Sequence, residues 1–341
     1  MLGCIGFGFG NMRPGGWNAL RLAHTAARVA SAVSKDAAPA ATRRRKSLLV
    51  DGNNVLYHFY NPLKSAESQE VDVTAIDGMF NLLRRMHATH QPEHICVFFD
   101  RPKQTTVRKL MVPDYKNDRA PTPRGLRPQL QSAKAFLRQA NVNCFSMPGV
   151  EADDLIASYT EALVAHGNDV LIVSNDNDFL QLTRGDRDAV LPSNASTDDQ
   201  DGDATAHGAP RPPCVEVYQL NKRRYLRERH IRSRFSIAPW QLPAYFSLCG
   251  ILWGKIKRVD GVTDECAVEL LAQFETLPRL LRHLNDIEDR AVQATLKRNI
   301  SSIETAYRIA KLNNDHALPI PIEELLAPDL SRLAATPISI A

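Results

Sequence analysis

The sequence predicts an α/β protein built on a doubly wound, mostly parallel sheet. Short apolar runs typical of buried strands alternate with longer segments of helical period, and acidic residues stand where the runs end. The chain of 341 residues can form one large α/β domain with an appended subdomain. No apolar run approaches the roughly 18 residues of a membrane span, so no membrane partner is expected.

The predicted elements follow in chain order. Five apolar runs predict strands, namely residues 46–51, 95–100, 142–147, 169–174 and 215–218. Apolar residues at helical spacing predict helices from residue 55, over 73–87 and 128–140, from 151, and through most of 239–320. Because helices separate successive strands, the strands are expected to run parallel.

Seven acidic residues stand at the ends of predicted strands or the starts of the helices that follow. They are Asp51, Asp100, Glu151, Asp153, Asp154, Asp176 and Asp178. The carboxyl ends of parallel strands meet at one edge of an open sheet, where ligands bind. Carboxylates gathered there would repel one another unless divalent cations neutralised them, and hard oxygen ligands select Mg²⁺ or Mn²⁺. The pattern indicates two-metal phosphodiester chemistry.

Each acid alone also has a structural interpretation. Asp51 is placed to cap a helix, and Asp153 and Asp154 would be favoured in a first helical turn by the helix dipole. Asp176 and Asp178 are typical of an Asx-rich turn. The ordered set of seven favours the metal-site interpretation.

The charge is distributed unevenly. Residues 1–46 carry a net charge of +7, whereas the whole chain carries +4, so residues 47–341 have a net charge of about −3. Arg21, Arg28 and Lys35 share one face of a predicted amphipathic helix in this segment, which is poor in acids. A mitochondrial transit peptide is the favoured interpretation. A disordered basic arm, a misassigned start codon and a chloroplast address stay open.

Three further segments are distinctive in composition. Residues 101–128 are rich in proline and basic residues and poor in core residues. Residues 197–213 are polar without a hydrophobic period and predict a disordered insertion. Residues 222–234 are strongly basic, and a solvated helix face and a duplex-contacting surface are both open for them.

The motifs LLVDGNNVLYHFY, FFD, RKLMVPDYKNDR, GVEADD and SNDND occur in this order. Together they resemble the 5′-nuclease domain of bacterial DNA polymerase I and its relatives, the 5′-3′ exonucleases and flap endonucleases, over about residues 47–319. The resemblance implies a PIN-like fold with a basic helical arch at 101–128. A small nuclease of this family behind a mitochondrial leader is also similar to kinetoplastid mitochondrial structure-specific endonucleases.

The resemblance also implies roles for individual residues. The first metal ion would be held at Asp51, Asp100, Glu151 and Asp153, with Asp154 alongside, and the second at Asp176 and Asp178. Lys116, Arg119 and Arg108 match positively charged residues of the family's arch that face the phosphate and act in catalysis. Nucleic-acid contacts are implied or suggested by charge and ring character for Tyr57, Tyr60, Lys103, Lys109, Arg124, Lys255, Lys257 and Arg258. Core packing is the alternative for either tyrosine.

The chain departs from the family in its later motif. Gly250 is kept, but Ile251 and Gly254 occupy two acidic positions, and Asp260 is out of register. The helix-turn-helix that grips duplex backbone in the family is therefore degenerate here. Either the second metal binds weakly and activity persists with a higher Mg²⁺ requirement or better activity with Mn²⁺, or catalysis is impaired.

The expected organisation is a leader (1–46), a catalytic domain (47–196), the insertion (197–213), a C-terminal helical subdomain (214–320) and a tail (321–341). The expected function is a monomeric, two-metal 5′-nuclease of DNA flaps or RNA primers in mitochondrial, or kinetoplast, DNA replication or repair. Its expected partners are branched or primer-containing DNA, RNA–DNA hybrid, and replication proteins such as a polymerase or ligase. A PIN-type mitochondrial RNA-processing nuclease and a catalytically impaired nucleic-acid-binding relative are the alternatives.

Overall fold

The computed structural model describes residues 44–61, 73–101, 106–117, 120–185, 211–250 and 256–329. The predicted leader up to residue 43 lies outside these ranges, as do most of the predicted insertion and residues 251–255 of the degenerate motif. No helix in the described ranges is long and apolar enough to cross a membrane.

A six-stranded sheet forms the centre of the fold. Its strands are β1 (Lys46–Asp51), β2 (His94–Phe98), β3 (Asn143–Phe145), β4 (Asp169–Val173), β5 (Val215–Gln219) and β6 (Arg224–Leu226). Their order is β3-β2-β1-β4-β5-β6, with every neighbouring pair parallel except β5 and β6. The predicted doubly wound, mostly parallel sheet is confirmed, and β6 adds an antiparallel edge.

The helices lie between and after the strands. They are α1 (Gly52–Phe59), α2 (Thr74–His90), α3 (Val107–Met111), α4 (Leu126–Gln139), α5 (Ala152–Ala165), α6 (Glu228–Phe235), α7 (Leu242–Cys249), α8 (Asp264–Phe274), α9 (Leu277–Arg282) and α10 (Arg290–Ala310). The first helix begins three residues earlier than predicted, because Asp51 caps it directly from the strand end.

Alternate residues of the central strands face two separate cores. Leu49 and Ile172 pack with α5 and the C-terminal helices, whereas Leu48, Val50 and Val173 pack with α1, α2 and α4. All five side chains are fully buried, and each such burial contributes about 1.5–3 kcal/mol. Apolar residues on both strand faces are what a parallel sheet covered by helices requires.

The close approach of α1 to the sheet depends on Gly52. A Cβ at this position would lie 2.5 Å from the Phe99 ring and 2.8 Å from the Phe98 carbonyl oxygen. Because backbone cannot yield as a flexible side chain does, the glycine sets how closely α1 begins against the end of β2.

Three predicted boundaries differ from the structure. β5 and β6 belong to the central sheet, so a boundary at residue 214 would cut through it. Arg211, within the predicted insertion, donates to Asp169 Oδ2 at 2.5 Å. Residues 321–329 of the predicted tail pack on the fold, with Ile322 and Leu325 buried and Leu326 hydrogen-bonded to Asn143.

Candidate active site

The candidate site lies at the carboxyl edge of the sheet. Asp51 ends β1, Asp100 follows β2, and Asp176 follows β4. The strand order reverses between β1 and β4, and the crevice at such a reversal is where open α/β sheets bind ligands. Glu151 caps the start of α5, which returns from β3. The sheet topology therefore brings the predicted acidic segments to one edge.

Asp51 is fixed by hydrogen bonds on both carboxylate oxygens. Its Oδ1 accepts from Asn54 N at 3.0 Å, and its Oδ2 accepts from Ser174 Oγ at 3.0 Å. Asn54 Oδ1 in turn accepts from the backbone and side-chain nitrogens of Asn175, each at 3.0 Å. These bonds tie the end of β1 to the end of β4.

The structural interpretation of the acids also holds. Asp51 caps α1, and Asp176 Oδ1 accepts from Asp178 N at 3.0 Å as the cap of the 3₁₀ turn Asn177–Leu182. Asp100 Oδ1 accepts from Ala152 N at 2.8 Å at the start of α5. These contacts orient the carboxylates, and they leave lone pairs on the oxygens.

Four of the seven predicted acids act on one another electrostatically. Burial, with the neighbouring charges of Asp100 and Asp176, raises the pKa of Asp51 to about 7 despite its hydrogen bonds. Burial also raises the pKa of Asp153, and the charges of Asp51, Asp176 and Asp100 add to the shift. Mutual repulsion of this kind is relieved by a positive charge placed among the carboxylates.

Lys116 is a positive charge in this position. Its Nζ lies 3.2 Å from Glu151 Oε2 and 3.8 Å from Asp153 Oδ2. Its φ of +60° is a backbone conformation that non-glycine residues rarely adopt. Asp100, Lys109, Lys116 and Glu151 line a cavity of about 200 Å³ beside the carboxylates. The structure therefore brings Lys116 together with the acids.

Arg108 does not occupy the phosphate-facing position that the resemblance implies. It is 5% exposed and donates from Nη1 to Glu151 Oε2 at 2.6 Å and from both Nη atoms to Asp154 at 2.7 and 2.8 Å. It also donates to the carbonyls of Ile309 and Lys311 at 3.1 and 3.0 Å. The guanidinium is saturated by these partners, so Arg108 joins α3 to α5 and the end of α10.

Glu151 and Asp154 accept further hydrogen bonds besides those from Arg108. Glu151 also accepts from Thr106 Oγ1 at 3.2 Å, and Asp154 Oδ1 accepts from Asn313 N at 2.9 Å. Although burial opposes ionisation, Lys116 and Arg108 hold the pKa of Glu151 below its usual value. Both carboxylates are paired with basic side chains in this structure, so their role as metal ligands stays a prediction.

The donor chemistry suits a hard divalent cation, since Asp51, Asp100, Asp153 and Asp176 offer oxygen ligands in a mutually repelling group. Across the described ranges, no three His, Cys, Asp or Glu side chains are arranged to hold an ion as they stand. The residues therefore fit such an ion by chemistry, and side-chain rotation must accompany its binding.

The predicted nucleic-acid-binding residues fall into two groups. Tyr57 is 43% exposed and donates to Thr122 Oγ1 at 3.0 Å, whereas Tyr60 packs against the core of α1, α2 and α4. Lys109, Arg124 and Lys257 are exposed. For Tyr60 the packing alternative is the one observed.

Arg258 is partly engaged within its own turn. It donates to Val262 O at 3.0 Å and to Asp264 Oδ1 at 2.5 Å, at the start of α8. The remaining predicted site residues Lys103, Arg119 and Lys255, with positions 251 and 254, lie outside the described residues.

Several contributing residues were not predicted from the sequence. Asn54, Ser174 and Asn175 orient the acids, and Thr106 and Tyr115 contact Glu151. Burial raises the pKa of Tyr115 to about 12, so its hydroxyl stays a donor toward Glu151. The sequence signal for the first three is their position beside the acids within VDGNN and VSNDND.

Comparisons with known proteins agree with this architecture. Residues 46–204 match the family model "5'-3' exonuclease, N-terminal resolvase-like domain", and residues 237–332 match "5'-3' exonuclease, C-terminal SAM fold". Flap endonuclease Xni of Photorhabdus laumondii is 28% identical over 232 residues, covering 66% of this chain and 80% of that protein. The 5'-3' exonuclease of Aquifex aeolicus is 26% identical over 288 residues, covering 84% and 88%.

The fold has a solved counterpart in the T5 D15 protein co-crystallised with metal ions. The two structures superpose with a TM-score of 0.58 at 16% identity, over 79% of this chain and 90% of that one. The two family models together match well over half of the chain. The chain therefore belongs to the 5′-3′ exonuclease family of phosphodiester-hydrolysing nucleases.

Proposed function

We propose that this chain is a two-metal, structure-specific 5′-nuclease that hydrolyses phosphodiesters at DNA flaps or RNA primers. The observation that supports this best is the group of mutually repelling carboxylates at the β1–β4 crevice, with Lys116 between Glu151 and Asp153. Metal dependence is general to the family, and the oxygen donors favour Mg²⁺ or Mn²⁺ as the ions.

The proposed mechanism assigns separate tasks to the side chains. Asp51, Asp100, Asp153 and Asp176 would hold two ions, which supply a hydroxide and stabilise the attacking and leaving oxygens. Lys116 lies where a cation would contact the phosphate beside those carboxylates. Asn54 and Ser174 keep Asp51 in place and reduce the reorganisation needed when substrate binds.

Glu151 has a positioning role in this proposal. It receives hydrogen bonds from Arg108, Thr106 and Tyr115 and pairs with Lys116 at 3.2 Å. Rotation of Lys116 from this pair toward substrate would remove one of the two cations that neutralise Glu151 and would strengthen its attraction for an ion. Substrate and metal binding would then be coupled through one lysine.

The cellular setting is part of the proposal. The basic, acid-poor leader favours a mitochondrial or kinetoplast location, with a role in DNA replication or repair as a monomer. Branched DNA and RNA–DNA hybrid are the proposed substrates. Replication proteins such as a polymerase or a ligase are the proposed protein partners.

The test is a cleavage assay on a 5′-labelled DNA flap, a nicked RNA–DNA duplex, a single DNA strand and an unstructured RNA, each with Mg²⁺ and with Mn²⁺. Asp153→Asn removes a charge from the site, and Glu304→Gln removes one from the exposed face of α10. Junction-dependent cleavage lost only in Asp153→Asn would support the proposal. Cleavage of the unstructured RNA alone would favour an RNA-processing nuclease.

Binding without turnover is the other informative result. Glu151 and Asp154 are held by Arg108, and positions 251 and 254 lack the family's acids. If the flap binds tightly but neither metal supports cleavage, the impaired-relative alternative replaces the proposal. Cleavage that requires Mn²⁺ or high Mg²⁺ would instead indicate a weak second metal site.

A further inference from the structure

A basic pocket lies against the 3₁₀ turn Asn177–Leu182. The segment from Arg224 to Arg234 carries five arginines and one glutamate, on a body that is otherwise acidic. It folds as β6 and α6, and with the 3₁₀ turn it lines a cavity of about 470 Å³. The residues of interest in its lining are Asn177, Arg224, Leu226, Arg229, His230 and Arg234.

Two arginines of this pocket, Arg224 and Arg234, form no ion pair with an acidic residue of the described ranges. Arg224 contacts Gln219 Oε1 at 3.4 Å, and Arg234 lies over the Phe235 ring at 5.0 Å. Both are exposed, and no carboxylate of the described ranges is within ion-pairing distance of either. Their positive charge is therefore directed at solvent from the pocket wall.

The acid of this segment neutralises a different arginine. Glu228 Oε1 accepts from Arg232 at 2.6 Å, and its Oε2 accepts from Gly185 N at 2.7 Å. Arg232 does not line the pocket. Glu228, the one glutamate of α6, is thus engaged by Arg232 and Gly185 and is not part of the pocket lining.

The pocket adjoins the candidate active site through a shared element. Asn177 lines the pocket and is flanked in the chain by Asp176 and Asp178. Its side chain is fixed because Asn177 Oδ1 accepts from Gln219 Nε2 at 2.9 Å. The same turn that Asp176 caps therefore forms a wall of the basic pocket.

We propose that this pocket binds the sugar–phosphate backbone of the nucleic-acid substrate, with Arg224 and Arg234 each contacting a phosphate. Arginine is suited to this role because its planar guanidinium donates in pairs to phosphate oxygens. Leu226 and Ile231 also line the pocket, so its wall has an apolar part beside the arginines. The proposal rests on the nuclease function proposed above and adds a second anchoring point for its substrate.

The test compares Arg224→Gln/Arg234→Gln with Arg232→Gln in the full-length chain. Arg232→Gln removes a positive charge from the same helix outside the pocket, and all three side chains are exposed, so folding should be preserved. Binding to a fluorescent DNA flap is measured in EDTA, from 50 to 200 mM salt. Losing two phosphate contacts should lower the slope of log K against log salt by roughly 1.8 and weaken binding by more than about tenfold at 0.1 M salt.

Arg232→Gln should leave the salt slope unchanged within error. The inference is overturned if the double variant binds like the wild type, or if Arg232→Gln lowers the salt slope by half as much as the double variant does. The second result would indicate that the overall positive charge of the helix attracts DNA, and not specific contacts in the pocket. Cleavage of the same flap by the wild type is followed separately with Mg²⁺. Its absence would refute the nuclease proposal, while the EDTA titration would still decide the pocket.

Discussion

Substitution of Arg108 tests whether this residue stabilises the fold or contacts the substrate. In the structure Arg108 is a clamp, by which we mean a buried residue that holds Glu151 and Asp154 by ion pairs. The family resemblance instead implies that it contacts a phosphate. Its side chain is 6% exposed and pairs with Glu151 and Asp154, whose side chains are 7% and 11% exposed. Removing one partner of a buried ion pair leaves uncompensated charge and costs about 3–5 kcal/mol. Arg108→Met should lower the free energy of unfolding by that amount.

Lys109→Met is the matched control. Lys109 is the next residue of the same short helix and is exposed, so the same charge change there should alter stability by less than about 0.5 kcal/mol. The assay is urea unfolding followed by circular dichroism in EDTA, which removes any contribution from metal binding. A lower midpoint with an unchanged m-value would indicate lost stability.

A triple variant separates pairing from packing. Arg108→Met combined with Glu151→Gln and Asp154→Asn removes all three buried charges, so a large part of the stability should return. The clamp interpretation is refuted if Arg108→Met unfolds like the wild type while its salt-dependent affinity for DNA falls. That result would place the guanidinium on phosphate.

Three further predictions concern other parts of the chain. Gly250→Ala should lower the melting temperature, because φ is +77° there and an added Cβ would lie 2.8 Å from a backbone nitrogen of the returning chain. Although burial opposes ionisation, hydrogen bonds, including one from Arg211, hold the pKa of Asp169 below its ordinary value of 3.8, so its stabilisation should be present above that pH and be lost as pH falls through the folded value. Asp169→Asn should reduce the fall of the urea midpoint between pH 5 and pH 3, an interval of about two units around the ordinary aspartate pKa. Tyr57→Leu should weaken flap binding by about 1–3 kcal/mol without changing the melting temperature, whereas Tyr60→Ala should lower the melting temperature.

Each of these three predictions would be contradicted by a specific result. An unchanged melting temperature of the Gly250 variant would mean that the backbone at Ile256 and Arg258 moves aside at little cost. If the urea midpoints of the Asp169 variant and the wild type change in parallel with pH, that ion pair does not contribute to acid unfolding. Equal flap binding by the Tyr57 variant would leave this exposed ring without a stacking role.

The sheet was predictable because its signals are local. Each central strand is a short apolar run, and Asp51 and Asp176 sit where the run gives way to a cap or turn. β6 was missed because three residues in a basic segment carry no strand period, and only pairing with β5 defines it. The third strand was predicted too long for a related reason, since pairing with β2 extends over three residues.

The fate of Arg108 could not be predicted from the sequence. Its carboxylate partners are 43 and 46 residues away, and its carbonyl partners are 201 and 203 residues away. A basic residue in a basic segment has the same local pattern whether it faces solvent, phosphate or the interior. The resemblance supplied the residue's family role, and the buried contacts correct its position.

The sequence by itself determined the parallel α/β sheet and the placement of acidic residues at its strand ends. These follow from hydrophobic period and capping, which act over a few residues. Only the tertiary structure decided which acids face one another, that Arg108 holds Glu151 and Asp154, and that Arg224 and Arg234 border a pocket beside Asn177. The direction of a charged side chain is set by partners far away in the chain, because burial and ion pairing depend on what the fold brings close.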